Sequence, residues 1–455
     1  MTSAIPLDLR DAIEREAGAV IIAERPRGGG GASRQGAEIT LRYVEGREQE
    51  CYLAWDARAG DPARRPFFQR ETAALAALSG PFAGSGVRVA SLIASDPAHL
   101  ALCSAFVAGR DRFPDAPDKA ALARNFVALL ARLHALDAAD PAFAALGDAA
   151  VPPSSVIRMQ IAKLSTDNLA SGADAILQLA LKWLAANVPV DSGPAVVLHG
   201  DAGPGNFLYE GDRVTALVDW ELTHLGDPME DLAQIWVRSL IQPFVPMREV
   251  FAAYEAASGT PVDLARVKFH RLYFQLGFSV AGHAAQAAKG GAPGASTGVS
   301  MLYGTMHRRI IVESLAELTG TNLTDPSLPD CPVNWTDAGF AVALDDLRDE
   351  IVPDLASQRA AAKAKALARM VKFWRMRDRY GAAFDAAEIA EVGGQLGESL
   401  ADPVEARSAL GRAVEDGRIT FSDALRLCHN RTVRETFLMA DAMGALATTR
   451  YEVLE

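Results

Sequence analysis

The stretch Val196-Val197-Leu198-His199-Gly200-Asp201-Ala202-Gly203-Pro204-Gly205-Asn206 runs an apolar strand into a glycine-containing loop that carries an acid and an amide five residues apart. A second apolar run, Val214 to Val218, ends in Asp219-Trp220-Glu221, thirteen residues beyond Asn206. Moving a phosphoryl group onto a hydroxyl needs this set of groups. A carboxylate must orient the attacking hydroxyl and take its proton, while amide and carboxylate oxygens hold Mg²⁺ against the phosphates. Hard oxygen donors suit that ion. On this reading Asp201 is the catalytic carboxylate, and Asn206 and Asp219 are the metal ligands. An acid and an amide in a loop usually mark a turn. Here the flanking apolar strands and a third acid at a strand end argue for a site.

Neighbouring residues divide between chemistry and support. His199 has no evident partner nucleophile and reads as a packed, hydrogen-bonded histidine bracing the loop. Glu221 is open between a carboxylate near the metal and an acidic helix start. In Leu225-Gly226-Asp227-Pro228, Asp227 reads as a helix cap and structural support, with Asp231 as a further brace.

The elements that must position these residues come in two kinds. Residues 19–56 read as strands and turns: Ala19-Val20-Ile21-Ile22, an alternating Glu38 to Val44, and Cys51 to Trp55, with the glycine-rich Gly28–Gly31 between the first two. A helix over 67–79 and strands over 87–93 and 100–107 complete a small α+β lobe. From about 118 the helical period takes over: 118–133, 154–188, 229–241, 247–257, 263–288 and 300–318. Short strands at 195–198 and 214–218 flank the acid loop. A Gly/Ala/Pro/Ser loop falls at 289–298. A Pro/Asn/Asp/Thr-rich segment at 321–340 reads as a linker. Only helices follow it, at 341–351, 354–380, 385–395, 403–414 and 421–447.

Composition narrows the function. The 455 residues exceed one ordinary core, and 49% are apolar, as in a globular protein. A net charge of −12, with no basic stripe, excludes a general affinity for nucleic acid or anionic lipid. Cys51, Cys103, Cys331 and Cys428 are scattered, without metal-ligand or disulfide spacing. The first ten residues lack a basic segment before an apolar run, and no twenty-residue apolar stretch exists. A cytoplasmic protein with no signal peptide and no membrane partner is therefore expected.

Taken in order over 15–320, these motifs resemble the aminoglycoside phosphotransferase superfamily. They include the HGDxxxxN loop, the DWE strand end and LGDP…DLA. Ser33 in a GGxS-like loop, Glu71 in an αC-type helix, Phe106-Val107-Ala108-Gly109 as an interlobe hinge and Leu133-His134-Ala135-Leu136-Asp137 belong to the same match. The resemblance implies an α+β, bilobal protein-kinase-like fold. It has a small N-lobe with an antiparallel sheet (1–108) and a larger, mostly helical C-lobe (109–320), followed here by the linker and an all-α C-terminal domain (341–455). It further implies ATP or GTP with Mg²⁺. Ser33, Arg34, Arg42, Glu71, Phe106 and Val107 would then lie around the nucleotide, and a small hydroxylated molecule would be the acceptor.

In one place the chain departs from that pattern. Kinases of this fold carry a Lys or Arg on the third strand, which holds the phosphates and pairs with the helix Glu. This strand reads Tyr52-Leu53-Ala54-Trp55-Asp56, without a cation. Arg34, Arg42 and Arg58 are the candidates to replace it, and each is equally open to being a solvated surface arginine. The DWE–LGDP flavour is closer to kinases of hydroxyacyl-CoA, and to the kinase domain fused to some acyl-CoA dehydrogenases, than to antibiotic kinases. The basic helix Arg359–Arg379 would meet a CoA phosphate or simply face water. An antibiotic kinase and a pseudokinase that binds without transferring remain the alternatives. A homodimer through the tail is also open.

Overall fold

The computed structural model describes residues 5–27, 34–288 and 297–454. Gly28–Gly31, Ser33 and most of the 289–298 loop therefore lie outside the described residues. In chain order the elements are α1 (Leu7–Ala17), β1 (Ala19–Arg27), β2 (Arg34–Tyr43), β3 (Glu48–Asp56), α2 (Arg65–Ser79), β4 (Leu92–Asp96), β5 (Ala101–Ala105), α3 (Lys119–His134), α4 (Pro153–Ala170) and α5 (Ala175–Ala186). Next come β6 (Val196–Leu198), β7 (Phe207–Glu210), β8 (Arg213–Leu217), β9 (His224–Gly226), α6 (Pro228–Ser239), α7 (Met247–Ser258), α8 (Leu264–Ala287) and α9 (Thr297–Thr319). The chain ends with α10 (Asp337–Asp345), the short α11 (Val352–Asp354), α12 (Gln358–Leu396), α13 (Pro403–Glu415) and α14 (Phe421–Met443).

Two compact units result. The first contains Met1–Ser155, Asp191–Val267 and Glu452–Glu455; the second contains Val156–Val190 and Lys268–Tyr451. Residues 321–340 lie within the second unit. Among the described residues no helix is long and apolar enough to cross a membrane. The four cysteines are free, and all but Cys331 are buried.

The first unit opens with a five-stranded antiparallel sheet in the order β1-β2-β3-β5-β4. Strand β2 buries Ala37, Ile39 and Leu41, the apolar half of its alternating sequence, against Cys51, Leu53 and Trp55 of β3. Helix α2 buries Phe68, Leu75 and Leu78 together with the carboxylate-bearing Glu71. The strand expected over 87–93 begins only at Leu92. Upstream, Val89 instead forms an isolated bridge to Leu217, so this segment ties the sheet to β8. Helix α3 starts at an Asp118 cap that accepts from the Ala121 N–H, and buries Leu122, Phe126, Leu129, Leu130 and Leu133 as its period demands. Two further pairs frame the acid loop: β6 with β9, and β7 with β8. Strands β7 and β9 have no counterpart in the sequence reading, being only four and three residues long.

The second unit is helical. The single helix expected over 154–188 is two. Gly172 and Ala173 take left-handed backbone (φ 107° and 56°), and Asp174 then caps α5 by accepting from Ile176 and Leu177 N–H. Conversely, the two helices expected over 354–380 and 385–395 are one. Gly381 is accommodated mid-helix because the Arg377 side chain lies against its α-carbon, where a β-carbon would stand. One apolar cluster draws on Ile176, Leu181, Leu272, Leu276, Ile311 and Leu315 as well as Val392, Leu410, Val414, Leu425 and Cys428. The helices before and after 321–340 thus share a core.

Candidate active site

The acid loop leaves β6 at His199 and is held by one face of α6. Asp231 is fully buried; its Oδ2 accepts from the His199 N–H and its Oδ1 from the Gly200 N–H, both at 2.9 Å. His134 Nε2 meets the same carboxylate at 3.0 Å, and its Nδ1 lies 2.8 Å from the Tyr254 hydroxyl. One turn on, Gln234 Oε1 accepts from the Ala202 N–H at 3.0 Å. A further turn on, Arg238 donates from Nη1 to Asp201 Oδ2 (2.7 Å) and from Nη2 to Asn206 Oδ1 and Pro204 O (3.0 Å each). Positions i, i+3 and i+7 share a helix face, which is why one helix reaches the whole loop. Gly200 has φ 81°, and a side-chain carbon there would overlap the Leu222 carbonyl, so glycine is required.

Within the loop, Asn206 Nδ2 donates to Asp201 O at 2.8 Å and to Asp201 Oδ2 at 2.7 Å. The carboxylate and amide predicted to work together are therefore in contact. Burial pushes the Asp201 carboxyl up, against the pull of the Arg238 guanidinium. Asp219, two residues beyond β8, takes left-handed backbone (φ 68°), unusual for a residue other than glycine. Strain of this kind clusters at functional sites. Asp219 is solvent-exposed, and its charge acts on His199, Arg34 and Glu71. The Val218 N–H donates to Asn206 O at 3.1 Å, which fastens the two loops side by side.

His199 packs beneath the acid loop. It is buried, its Nε2 lies 3.1 Å from Val218 O, Nδ1 accepts from the Asp201 N–H at 3.3 Å, and its ring packs 4.6 Å from Trp220. Burial lowers its pKa, so the neutral ring is favoured. Asp227 caps α6, accepting from the Met229 N–H at 2.9 Å, and pairs with Arg266 at 2.5 Å.

Around Glu221 the structure gathers cations. Arg34 Nη2 lies 2.5 Å from Glu71 Oε2 and 3.7 Å from Glu221 Oε2. Arg64 also reaches Glu221 at 3.7 Å while held by Asp56 at 2.6 Å. Glu71 is buried, which raises its pKa against the pull of Arg34. Burial, then the neighbouring Asp219, raises Glu221. Arg42 and Arg58 are not part of this group. Arg42 is exposed and pairs with Glu48 at 2.8 Å, and the Arg58 side chain is 60% exposed, 4.0 Å from Asp56. In the predicted hinge, the Phe106 N–H donates to Glu50 O at 2.9 Å, and Arg110 exchanges backbone bonds with Tyr209 at 2.9 Å. Phe106 is exposed and Val107 half-buried.

His224 offers a titration outside the acid loop. Its ring spans the Leu222 carbonyl (Nδ1, 2.8 Å) and Glu230 (Nε2, 2.9 Å). Burial alone would lower its pKa, but Glu230 and the carbonyl outweigh this and raise it to about 9. A group that holds its proton more tightly when folded stabilises the fold fully below its unfolded pKa of about 6.5. That contribution is lost as pH rises through about 9. We expect stability to fall by roughly 3 kcal/mol across that window, read as a declining melting temperature, and His224→Gln to flatten the decline. An equal decline in the variant would exclude His224 as its source.

Sequence reasoning missed two contributors. Arg238 is not singled out by its sequence neighbourhood. The signal available was its helical register with Asp231 and Gln234. Arg64 carried no signal, because Asp56, Arg64 and Glu221 meet only through tertiary structure.

With this geometry in place, comparison with known proteins is informative. The profile of the phosphotransferase enzyme family matches residues 34–270. That is more than half of the chain, which therefore belongs to this family. Among characterised relatives, acyl-CoA dehydrogenase family member 11 of Gallus gallus is 43% identical over 54 residues, 11% of this chain and 7% of that protein. Its Homo sapiens counterpart is 32% identical over 87 residues, 19% of this chain and 11% of that protein. The chain thus spans about a tenth or less of those relatives. Among solved structures, an aminoglycoside phosphotransferase in complex with GDP and kanamycin is 16% identical (69% of this chain, 99% of that one, TM-score 0.47). A macrolide 2′-phosphotransferase of Brachybacterium faecium is 19% identical (62% and 92%, TM-score 0.44). The α+β architecture expected from the sequence, an antiparallel sheet followed by mostly helical chain, is the one observed.

Proposed function

We propose that this phosphotransferase moves the terminal phosphoryl group of ATP or GTP to a hydroxyl of a small metabolite, with a hydroxyacyl-CoA as the favoured acceptor. The observation that carries the reading is the contact between Asp201 and Asn206 in a braced loop, fastened to the strand end that bears Asp219. Asp201 would orient the acceptor hydroxyl and take its proton, while Arg238 holds the carboxylate in place.

The donor set fits Mg²⁺. Among the described residues no three His, Cys or acidic side chains form a ready-made metal cluster. Asn206 and Asp219, with Glu221 nearby, offer amide and carboxylate oxygens. Magnesium is commonly bound this way, by one or two carboxylates completed by substrate phosphates. When bound, the ion would offset charge on the phosphates as the bond to the leaving oxygen lengthens. Asn206 Oδ1 accepts from Arg238, and the amide would exchange or share that partner.

The acceptor is a finer matter. The short segments shared with proteins named acyl-CoA dehydrogenase family member 11 favour an acyl-CoA. The Arg238 guanidinium on Asp201 also favours a neutral or anionic acceptor over a polycationic antibiotic, because like charges at the acceptor hydroxyl repel. The basic helix gives CoA less than its sequence suggested. Arg375 is bound twice by Asp337 (2.7 and 2.6 Å), Arg377 pairs with Asp385, and Arg379 donates to Cys331 O at 2.7 Å.

The test is a thermal-shift titration with ATP and GTP, with and without Mg²⁺, followed by phosphate transfer to a panel of hydroxyacyl-CoAs, aminoglycosides and macrolides. A magnesium-dependent rise in melting temperature is expected, since a ligand bound only by the folded state stabilises it. Transfer to a hydroxyacyl-CoA should follow. Transfer only to a cationic drug would overturn the acceptor assignment. No shift with either nucleotide would make the chain a binding module without transfer.

A further inference from the structure

We propose that the cation gripping the nucleotide phosphates has moved from the third strand of the sheet to the second, where Arg34 supplies it. This rests on the nucleotide-binding reading above and deepens it. Four observations support the move.

The first is the empty position. The residues of β3 that share a face are Tyr52, Ala54 and Asp56, none of them cationic. The second is register. Arg34 pairs across the ladder with Asp56, and Gly36 with Ala54. Residues opposite one another, and those two apart, share a face of the sheet. Arg34 therefore stands on the face where a cation at Ala54 would stand, one strand over and two residues along. Gly36 keeps that face open to Tyr52, because a side-chain carbon there would overlap the Tyr52 hydroxyl.

The third is the partner. The αC-type acid, Glu71, is buried, and it is Arg34 that lies 2.5 Å from it. The Arg34 side chain is only 13% exposed. An arginine on an exposed strand would be solvated, whereas this one is withdrawn into an acidic cluster of Glu71, Glu221 and Asp219. The fourth is spare donor capacity. Arg34 Nε is buried and has no hydrogen-bond partner among the described residues. Guanidinium carries five N–H donors in a planar fork, so one edge can engage Glu71 while another remains for phosphate oxygens. Without a cation here, three carboxylates would face a polyanionic nucleotide and repel it. Of the other arginines nearby, Arg64 is committed to Asp56 at 2.6 Å and Arg42 to Glu48, while Arg70 stands on α2 with its guanidinium over the Phe67 ring at 5.1 Å and not on this sheet face.

The experiment compares wild type, Arg34→Ala and Arg34→Ala/Ala54→Lys by thermal shift with Mg²⁺-ATP and Mg²⁺-GTP. Circular dichroism and the ligand-free melting temperature check folding. Wild type should be stabilised by nucleotide. Arg34→Ala should lose at least about tenfold in apparent affinity, the scale of one lost charge-assisted phosphate contact. Returning a cation to the third strand in the double variant should recover most of that loss. If Arg34→Ala does not fold, Arg34→Met/Glu71→Gln removes both partners of the buried pair, and it should fold without binding nucleotide.

Three results would count against the proposal. Folded Arg34→Ala with wild-type affinity overturns the relocation alone and leaves the nucleotide reading standing. A loss that Ala54→Lys fails to repair makes Arg34 a prop for α2 and overturns it too. A wild-type protein that responds to neither nucleotide overturns the underlying reading, and the relocation falls with it.

Discussion

Asp201→Asn is expected to lower phosphoryl transfer by roughly 10²–10⁴-fold, the range for losing a positioned general base, while Mg²⁺-nucleotide affinity changes by less than about threefold, well under 1 kcal/mol. The asymmetry follows from what each group touches. The Asp201 carboxylate accepts from Arg238 at 2.7 Å and from Asn206 at 2.7 Å, and it is the group proposed to receive the hydroxyl proton. An amide of the same shape keeps the loop packed against α6 but cannot take that proton. Single-turnover kinetics with a nucleotide-binding isotherm on the same preparation would separate the two effects. Loss of nucleotide binding in a folded Asp201→Asn protein would mean that Asp201 holds the nucleotide or its metal rather than the acceptor. Asp219→Asn supplies the contrast, since its expected defect lies in Mg²⁺-dependent nucleotide binding.

The second large effect is on folding. A chain ending at residue 340 should fail to fold cooperatively, although the sequence sets a linker at 321–340 and suggests that the tail is separable. Within the second unit, Leu410, Val414, Leu425 and Cys428 complete the core that Ile176, Leu181, Leu276 and Ile311 begin. Removing them opens the equivalent of several large-to-small substitutions at once, each worth about 2–5 kcal/mol. Truncation would also strand charge. Arg431 Nη1 donates to the buried Asp174 at 2.9 Å and its Nε to Glu435 at 2.9 Å, while Arg308 reaches Glu435 at 2.8 Å. Leaving one partner of a buried pair costs about 3–5 kcal/mol, against a total stability of about 5–15 kcal/mol for a domain. Expression of residues 1–340 should therefore yield aggregated or molten protein by circular dichroism and thermal melting. A soluble product with a cooperative melt would show the tail to be dispensable.

The candidate site of this chain is legible in the sequence because it is local. Asp201 and Asn206 lie five residues apart in one loop, and the apolar runs on either side announce the strands that hold them. Asp219 is delivered by a strand whose end is readable from Val214 to Val218. The helix starts at Asp118 and Asp227 were readable for the same reason, since a cap and its N–H partners are neighbours in sequence. The break at Gly172–Asp174 inside 154–188 was misread. Its signals, a glycine and a capping acid, sit in a stretch whose alanine and leucine content favours helix throughout.

What sequence alone determined here was the family, the succession of a small strand-rich lobe and a mostly helical remainder, and the acid, amide and second acid of the candidate site. Tertiary structure decided which cation meets Glu71, which helix face holds the acid loop, and that the tail shares a core with the helices before it. These are meetings between residues tens to hundreds of positions apart: Arg34 with Glu71, Asp201 with Arg238, Asp174 with Arg431. Side-chain period and capping rules report only on neighbours along the chain. Which of several arginines becomes buried beside an acid depends on strand register and helix packing, and those exist only once the chain has folded.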